Sequence, residues 1–263
     1  MLNYAQIKEY FDPGLVIINP KGVLVEYLQY EFLDSLFKLP GTEHLSFMGG
    51  TAVRIIYNSH RFSEDLDFDN FGLSDAEFKI IMDKTCGEMS VKGFKLEKRF
   101  SVKDKTSHCY VKFPEILFQL GISSHREEKI FLGVDAERKK KLFTPDIKTL
   151  NKFGVFRRVA VNPPAVLLAQ KMLAILLRRR AKGRDFYDAS FLAGLTGPDY
   201  AYLASAEKLN RAAFIQRLEK HCANLNFKAL AKDVEPFLFD SGERERVLHF
   251  KEHLRDITGS ESQ

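Results

Sequence analysis

Apolar and polar positions follow different patterns in the two parts of the chain, and the change comes near residue 160. The first part combines stretches with the helical spacing of about 3.6 residues and short runs that are apolar throughout or alternate at every second position. After Asn162-Pro163-Pro164, nearly every stretch as far as Leu254 has the helical spacing. The pattern therefore predicts an α+β domain over residues 1–160 and an all-helical domain over residues 161–263.

Helices in the first part are predicted where capping residues precede an amphipathic stretch. Asn19-Pro20 begins one that runs to about Lys38, and Ser74-Asp75 begins another that runs to about Ser90. Residues 51–59 also have helical spacing, whereas residues 1–19 predict a helical turn followed by an extended apolar piece. Breaks in the helical domain are expected near residues 183, 194–198, 224–226 and 236, and the tail TGSESQ is expected to be disordered.

Strands are predicted where short apolar or alternating runs are bounded by turn residues. The apolar run over residues 44–48 leads into Gly-Gly, and the run over residues 66–71 alternates apolar and acidic residues. Pairing of these runs would give one sheet in the first domain. The predicted strands cover residues 44–48, 66–71, 94–102, 107–113, 116–122, 129–134 and 156–161.

The stretch RFSEDLDFD, residues 61–69, places four carboxylates among six consecutive residues. In a strand, Asp65, Asp67 and Asp69 lie on one face, while the apolar residues between them lie on the other. Two carboxylates about 7 Å apart along a strand repel each other unless a cation lies between them. Mg²⁺ commonly takes one or two carboxylates together with substrate phosphates. A solvated acidic strand edge is the alternative, and Asp69 is treated as peripheral.

The segment FMGGTAVRIIY, residues 47–57, has the order strand, Gly-Gly, helix. Gly49 and Gly50 let the backbone approach a ligand closely, and a helix N-terminus presents free N–H groups to an anion. Thr51 adds a hydroxyl at the same place. Many turns use two glycines, so this segment alone is a weak signal. Followed by an aspartate pair, it suits a metal-bound polyphosphate.

The combination GGTAVR and RFSEDLDF resembles the first motif of the nucleotidyltransferase superfamily with a polymerase-beta-like core. The specific residues of this motif are similar to those of the AbiEii/AbiGii-type nucleotidyltransferase family. The matching blocks span residues 45–195 and follow the order found in the family. The resemblance implies a mixed sheet flanked by helices, followed by a helical C-terminal domain. It also implies transfer of a nucleoside monophosphate from an NTP to an acceptor hydroxyl. Proteins of this family are best known as toxins of type IV toxin–antitoxin and phage-defence systems, which makes a cognate antitoxin a possible partner.

The resemblance also implies the residues of the site. A third metal carboxylate is expected on a later strand, where KIFLGVDA, residues 129–136, offers Asp135. Asp135 can also accept a proton from the attacking hydroxyl, although an aspartate ending a strand is a common turn residue. The expected metal ligands are Asp65, Asp67 and Asp135, binding Mg²⁺ with Mn²⁺ as the alternative. The expected phosphate-binding residues are Gly49, Gly50, Thr51, Arg54, Ser63 and Lys171.

The second half of the family pattern corresponds to AQKMLAILLRRRAKGRDFYDASFLAG, residues 169–194. Lys171 interrupts an apolar helix, so its ammonium either extends to solvent or points into a charged cleft. Asp185 follows Gly183-Arg184 and could cap the next helix. The resemblance implies a catalytic or binding role for Lys171 and for one or both of Asp185 and Asp188, and Asp185 is favoured. Arg54 either touches phosphate or only pairs with nearby acids.

The net charge of +5 is unevenly distributed. Residues 138–184 hold fourteen Lys and Arg against one acid, Asp146, so the rest carries about −8, from 26 basic and 34 acidic residues. Such polarity favours a partner with phosphates, although a solvated basic face would look the same. RNA is therefore favoured as the acceptor, and the resemblance points to the 3′ end of tRNA. The cysteines and the longest apolar stretch, residues 165–177, favour a cytoplasmic protein without a membrane anchor.

Two other functions stay open. The same core could modify a small molecule or a protein hydroxyl, which the basic asymmetry disfavours only mildly. A binding protein that has kept the fold and lost catalysis is the third possibility. The presence of Asp65, Asp67, Asp135 and Lys171 argues against it.

Overall fold

The computed structural model of the chain describes residues 1–258. These residues form two compact units. The sheet unit comprises Met1–Ile56, Phe62–Lys141 and Pro145–Val161. The helical unit comprises Tyr57–Arg61, Leu142–Thr144 and the chain from Asn162 onward. Two short segments that lie within the α+β part of the sequence therefore belong to the helical unit.

A seven-stranded mixed sheet forms the centre of the sheet unit, with the strand order β3-β4-β5-β2-β1-β7-β6. The pairs β2–β5 and β1–β7 are parallel, and the other neighbouring pairs are antiparallel. This order places β2, which carries the acidic stretch, next to β5. The strands are β1 (Leu45–Met48), β2 (Leu66–Asn70), β3 (Glu97–Lys103), β4 (Thr106–Pro114), β5 (Lys129–Arg138), β6 (Asp146–Lys152) and β7 (Val155–Val161).

The two long helices of the sheet unit begin where their capping residues predict. The Asn19 side chain accepts a hydrogen bond from the backbone of Gly22 at the start of α3, and Ser74 forms a capping box with Glu77 at the start of α5. Most side chains of α3 are buried, so this helix supplies much of the core of the unit. The helices are α1 (Tyr4–Lys8), α2 (Pro13–Ile18), α3 (Pro20–Leu36), α4 (Gly49–Ile55), α5 (Asp75–Val91) and α6 (Ile116–Gln119).

The two faces of the sheet differ because side chains alternate along each strand. On β4 and β5, residues such as Val111 and Val134 are fully buried on the side that α3 and α5 cover. The intervening residues, among them His108 and Asp135, point to the opposite side. We call that side, which also carries Asp67 through its pairing with Asp135, the polar face.

The helical unit has a core of aromatic side chains. The ring of Phe186 meets those of Phe227 and Phe250 nearly edge-on, at centroid distances of 5.4 and 5.0 Å. Gly183 begins α8, and a Cβ there would lie 2.0 Å from the carbonyl oxygen of Leu230 on α11, so only glycine allows this close helix contact. The helices are α7 (Pro164–Leu177), α8 (Gly183–Ala193), α9 (Tyr200–Glu207), α10 (Arg211–Ala223), α11 (Phe227–Val234), α12 (Glu245–Leu248) and α13 (Phe250–Thr258).

The predicted fold class is confirmed: a mixed sheet with flanking helices is followed by a helical C-terminal region. The strand predicted over residues 116–122 is wrong, because this short apolar run begins with the helix α6, and a run of this length does not distinguish the two. The extended piece before Asn19 is the short helix α2, and β6 was missed because only Leu150 is buried along it.

Strand β5 continues to Arg138, so Asp135 lies inside the strand and not in a turn at its end. The tail predicted to be disordered falls, from residue 259 on, outside the described residues. Within the described part of the chain, no helix combines the length and apolar character needed to cross a membrane.

Candidate active site

Asp67 and Asp135 lie opposite each other on neighbouring parallel strands. They are partners in the β2–β5 register, so both side chains project from the polar face at the strand spacing of about 4.8 Å. Both are partly exposed. Such proximity of two carboxylates is unfavourable without a cation or a hydrogen-bond donor, because both carry negative charge. This pair is the centre of the candidate site.

The backbone of Gly49 packs directly against the Asp67 carboxylate. Gly49 has a φ of +77°, and a Cβ at this position would lie 2.2 Å from Asp67 Oδ2. Both the backbone conformation and the free space therefore require glycine. The Gly-Gly sequence at the start of α4 consequently brings backbone next to the acidic pair.

Replacing Gly49 with alanine should destabilise the protein and displace Asp67. The left-handed backbone costs an L-residue roughly 1–2 kcal/mol, and the clash with the carboxylate adds about 1–3 kcal/mol. Gly154→Ala is the matched control, since Gly154 has a φ of +76° with nothing within 4 Å of the added Cβ. Chemical unfolding of both variants measures the difference. Equal losses of stability would show that the approach of Asp67 to Gly49 has no energetic consequence.

The loop before β2 is held by hydrogen bonds from the side chains of Gln29 and Thr51. Gln29 on α3 donates to the carbonyl oxygens of Ser63, at 2.9 Å, and Glu64, at 3.1 Å. The buried Thr51 hydroxyl donates to the carbonyl oxygen of Asp65. Three consecutive carbonyls of the acidic stretch are thus fixed before the strand begins.

Asp65 is oriented toward β5 by the backbone of Gly133. The Gly133 N–H donates to Asp65 Oδ1 at 3.2 Å, and a Cβ on Gly133 would lie 2.6 Å from that oxygen. Gly133 lies two residues before Asp135 on the same face of β5. Asp65, Asp67 and Asp135 therefore gather around one part of the polar face, which we call the acid row.

Replacing Gln29 with leucine should loosen the acid row without changing a carboxylate. Two loop carbonyls lose their donor, which costs about 1–3 kcal/mol if they stay buried, and the position of Asp65 becomes less defined. We expect a lower free energy of unfolding and a lower rate of any reaction at the acid row. Gln119→Leu, at an exposed position of α6, is the control for the same side-chain change. An unchanged rate and stability in Gln29→Leu would contradict this role.

His108 on β4 adds an imidazole to the acid row. It pairs with Asp135 in the β4–β5 register, and its Nδ1 lies 2.8 Å from Asp135 Oδ1. The interaction fixes the orientation of the Asp135 carboxylate, whose side chain is 35% exposed. His108 was not among the predicted site residues, although its place in the alternation of β4 would have put it on the polar face.

Asp69, which we treated as peripheral, is fully buried. The Lys139 ammonium lies 3.0 Å from the Asp69 carboxylate. It also lies 3.2 Å from the carboxylate of Glu137, the residue that pairs with Asp69 on β5. Asp69 thus has a nearby cation from the chain itself.

A metal ion at the acid row is consistent with the type of ligands present. Two carboxylates on adjacent strands match what Mg²⁺ takes from a protein when substrate phosphates complete its coordination. Among the residues that the structure describes, no group of three or more His, Cys, Asp or Glu side chains is arranged to hold an ion by itself. The fit therefore rests on Asp67 and Asp135, with Asp65 beside them.

Arg54, a predicted phosphate-binding residue, is engaged elsewhere in the sheet unit. Its Nε lies 2.7 Å and its terminal nitrogen 3.2 Å from the carboxylate of Glu26 on α3. Lys152 lies 2.8 Å from the same carboxylate. Burial lowers the pKa of the Lys152 ammonium more than the charge of Glu26 raises it. A structural ion pair thus accounts for the buried Arg54 side chain, and its nucleotide-binding role stays a prediction.

Lys171 and Asp185, predicted as site residues, lie in a buried ion cluster of the helical unit. Lys171 Nζ is 2.8 Å from Asp188 and 3.2 Å from Asp185. Arg61 makes a two-pronged contact with Asp188, with both distances at 2.6 Å, and Arg178 lies 3.1 Å from Asp185. The ammonium of Lys171 therefore has carboxylate partners within its own unit. We call these five residues the ion cluster.

Opposite charges dominate the electrostatics of the ion cluster. Burial by itself would raise the pKa of Asp188, but the charges of Arg61 and Lys171 outweigh it and hold that pKa below its usual value. Burial likewise opposes the ammonium of Lys171, yet Asp188 and Asp185 raise its pKa. Asp188 and Lys171 are therefore both charged near neutral pH.

The predicted residues thus fall into two groups. The sheet unit holds Gly49, Gly50, Thr51, Arg54, Ser63 and the three carboxylates, and the helical unit holds Lys171 and Asp185. Ser63 is partly exposed beside Asp65 in the loop that Gln29 holds. Gly50 follows Gly49 in the first turn of α4.

Comparison with known proteins defines the class. The sequence matches the model of the family described as nucleotidyl transferase AbiEii toxin, type IV toxin–antitoxin system, over residues 31–261. The chain belongs to this family of nucleotidyltransferase toxins. No curated protein has a significantly similar sequence.

Solved structures with the same fold include two bacterial proteins. One is MenT4, a nucleotidyltransferase toxin of Mycobacterium tuberculosis, with a TM-score of 0.62, 18% identity, and coverage of 97% of this chain and 90% of that one. The other is JHP933 of Helicobacter pylori, with a TM-score of 0.57, 16% identity, and coverage of 91% and 92%. At these identities the likeness establishes the fold.

Proposed function

We propose that this protein transfers a nucleoside monophosphate from an NTP to the 3′ hydroxyl of a tRNA, and that this transfer arrests growth. The observation that carries the proposal is the pairing of Asp67 with Asp135 beside the backbone of Gly49. Carboxylates that lie next to a glycine backbone are suited to binding a polyphosphate together with its metal ion. Membership of a nucleotidyltransferase toxin family supports the same chemistry.

The nucleotide would bind with its phosphates against the start of α4. We assign this contact to Gly49, Gly50, Ser63 and the backbone of Thr51, because the Thr51 hydroxyl already donates to Asp65. Asp65, Asp67 and Asp135 would hold Mg²⁺, or Mn²⁺, which when bound supplies positive charge next to the reacting oxygens. Roles for Arg54, Lys171 and Asp185 in nucleotide binding stay predictions from the resemblance, and the proposal does not depend on them.

In the proposed reaction, the acceptor hydroxyl oxygen forms a bond to the α-phosphorus of the NTP. The bond from that phosphorus to the bridging oxygen breaks, and pyrophosphate leaves with the bonding electrons. The Asp135 carboxylate accepts the proton of the attacking hydroxyl. His108 holds Oδ1 of that carboxylate and thereby sets the direction from which the proton is taken.

A transfer assay tests the acceptor. Purified protein is incubated with Mg²⁺, total tRNA and each labelled NTP in turn, at increasing salt concentrations. We expect label in tRNA, with a yield that falls steeply with salt, because RNA binding releases counterions. Label that enters only small molecules or protein would reject the RNA acceptor. NTP binding that ignores Mg²⁺, without transfer to any acceptor, would favour a non-catalytic protein.

The toxin role has a separate test in growing cells. We expect induced expression of this protein in the cytoplasm, where tRNA is found, to arrest growth of the cells. Co-expression of the cognate antitoxin should restore growth. Growth arrest by a variant without transfer activity would separate toxicity from the proposed reaction.

A further inference from the structure

Two aromatic side chains are exposed on the polar face of the sheet. Tyr110 on β4 is 50% exposed, and Phe131 on β5 is 62% exposed. In the β4–β5 register, Tyr110 pairs with Gly133 and Phe131 with Lys112. The two residues are therefore diagonal neighbours on adjacent strands, at a residue spacing of roughly 7–8 Å. Two large rings exposed side by side suggest a binding surface.

The exposed rings continue directly from the acid row. The His108 ring lies nearly parallel to that of Tyr110, at 13° and 6.3 Å between centroids, and its Nδ1 contacts Asp135. Gly133, opposite Tyr110, is the residue that holds Asp65. A continuous track of side chains therefore leads from the carboxylates past Tyr110 to Phe131.

Cations border this track on the outer strand β3. Arg99 pairs with Tyr110 and Lys103 with Thr106, so both lie on the polar face. Both side chains are exposed, and neither makes an ion pair with a side chain of residues 1–254, the part whose side chains the structure describes. Glu97, further along β3, is bound to Lys112. The side of the track away from the acid row is thus open to a negatively charged partner.

We propose that the polar face of β3, β4 and β5 binds the single-stranded 3′ segment of the RNA acceptor. Bases stack on Tyr110 and Phe131, while Arg99 and Lys103 meet the phosphates. Exposed aromatic rings on a sheet bordered by cations bind single-stranded RNA with little sequence preference. The track then leads the terminal hydroxyl toward Asp135. The inference rests on the proposed function, because it takes the acceptor to be RNA.

A binding experiment separates this surface from the nucleotide site. Fluorescence anisotropy measures the affinity of a labelled single-stranded RNA oligonucleotide for the parent protein and for Tyr110→Ala/Phe131→Ala. We expect a loss of about tenfold for each ring removed. The variant Tyr110→Phe/Phe131→Tyr, which keeps both aromatic faces, should bind like the parent. Phe156→Ala is the control, because Phe156 is 74% exposed on β7, three strands from β5, and it should not change the affinity.

Thermal unfolding and NTP titration accompany each variant. Both should stay unchanged in the alanine double variant, because the rings are exposed and lie outside the proposed phosphate contacts. RNA affinity equal to that of the parent in this variant would overturn the inference, even if the parent transfers nucleotides to RNA. Failure of the parent to bind single-stranded RNA would overturn it as well. Ring-dependent RNA binding without transfer of any nucleotide would uphold this surface and reject the proposed function.

Discussion

Asp67→Asn is expected to abolish nucleotide transfer, with a loss of at least about a thousandfold. The substitution keeps the shape of the side chain next to Gly49 but removes the charge that faces Asp135. Without the negative charge of Asp67, the site would hold the metal ion less tightly, and the negative charge that develops on the α-phosphate would be less well offset. The rate of transfer and the thermal midpoint, measured on the same preparation, give the result.

Glu64→Gln is the control for Asp67→Asn. Glu64 is exposed in the same acidic stretch, and its loss of charge should change the rate by no more than about twofold, because surface substitutions have small effects. A folded Asp67→Asn variant that transfers nucleotides at the parental rate would contradict the proposed role of the acid row.

Breaking the buried ion pair of the helical unit should cause the largest loss of stability. Arg61→Met removes the two-pronged partner of the fully buried Asp188, which is left with Lys171 alone, and Lys171 also pairs with Asp185. Removing one member of a buried pair typically costs 3–5 kcal/mol, because the other charge stays buried. Chemical unfolding measures the free energy, and we expect a loss of about 4 kcal/mol for this variant.

The double variant Arg61→Met/Asp188→Leu is the matched control. It removes both charges, and Lys171 keeps Asp185 as its partner. We expect it to be more stable than Arg61→Met alone, because Asp185 and Asp188 no longer share the single buried ammonium of Lys171. Additive losses in the double variant would show that Arg61 and Asp188 contribute independently.

The same pair predicts loss of stability in acid. The folded pKa of Asp188 lies below its usual value of about 4, so its ion pairs stabilise the protein fully above that pH. This contribution is lost as the pH falls through the lowered folded pKa. The free energy of unfolding of the parent should therefore fall more steeply below about pH 4 than that of Asp188→Asn. Equal slopes would contradict the ion cluster as described.

Local signals predicted a large part of the fold. Asn19 and Ser74 marked the starts of α3 and α5 because a cap depends only on its own turn. The alternation in LDFD predicted β2, because one face of that strand is apolar. By contrast, the run after Glu115 was too short to distinguish a helix from a strand.

Long-range contacts explain what the sequence could not predict. Arg61 and Asp188 are 127 residues apart, and Gln29 lies 34 residues before Ser63. For Lys171, the sequence predicted solvent or a charged cleft, whereas the structure places two carboxylates of α8 beside it. Such partners depend on how elements pack, which one-dimensional patterns do not contain. The candidate carboxylates were recognisable by motif, but the supporting side chains were not.

The most direct test of the account is the origin of the transferred phosphorus. Parallel reactions with tRNA contain NTP labelled at the α-phosphate or at the γ-phosphate, and the release of pyrophosphate is measured in both. We expect only the α-label to enter tRNA, with one pyrophosphate released for each nucleotide transferred. Entry of the γ-label, or transfer without pyrophosphate, would contradict nucleotidyl transfer at the acid row.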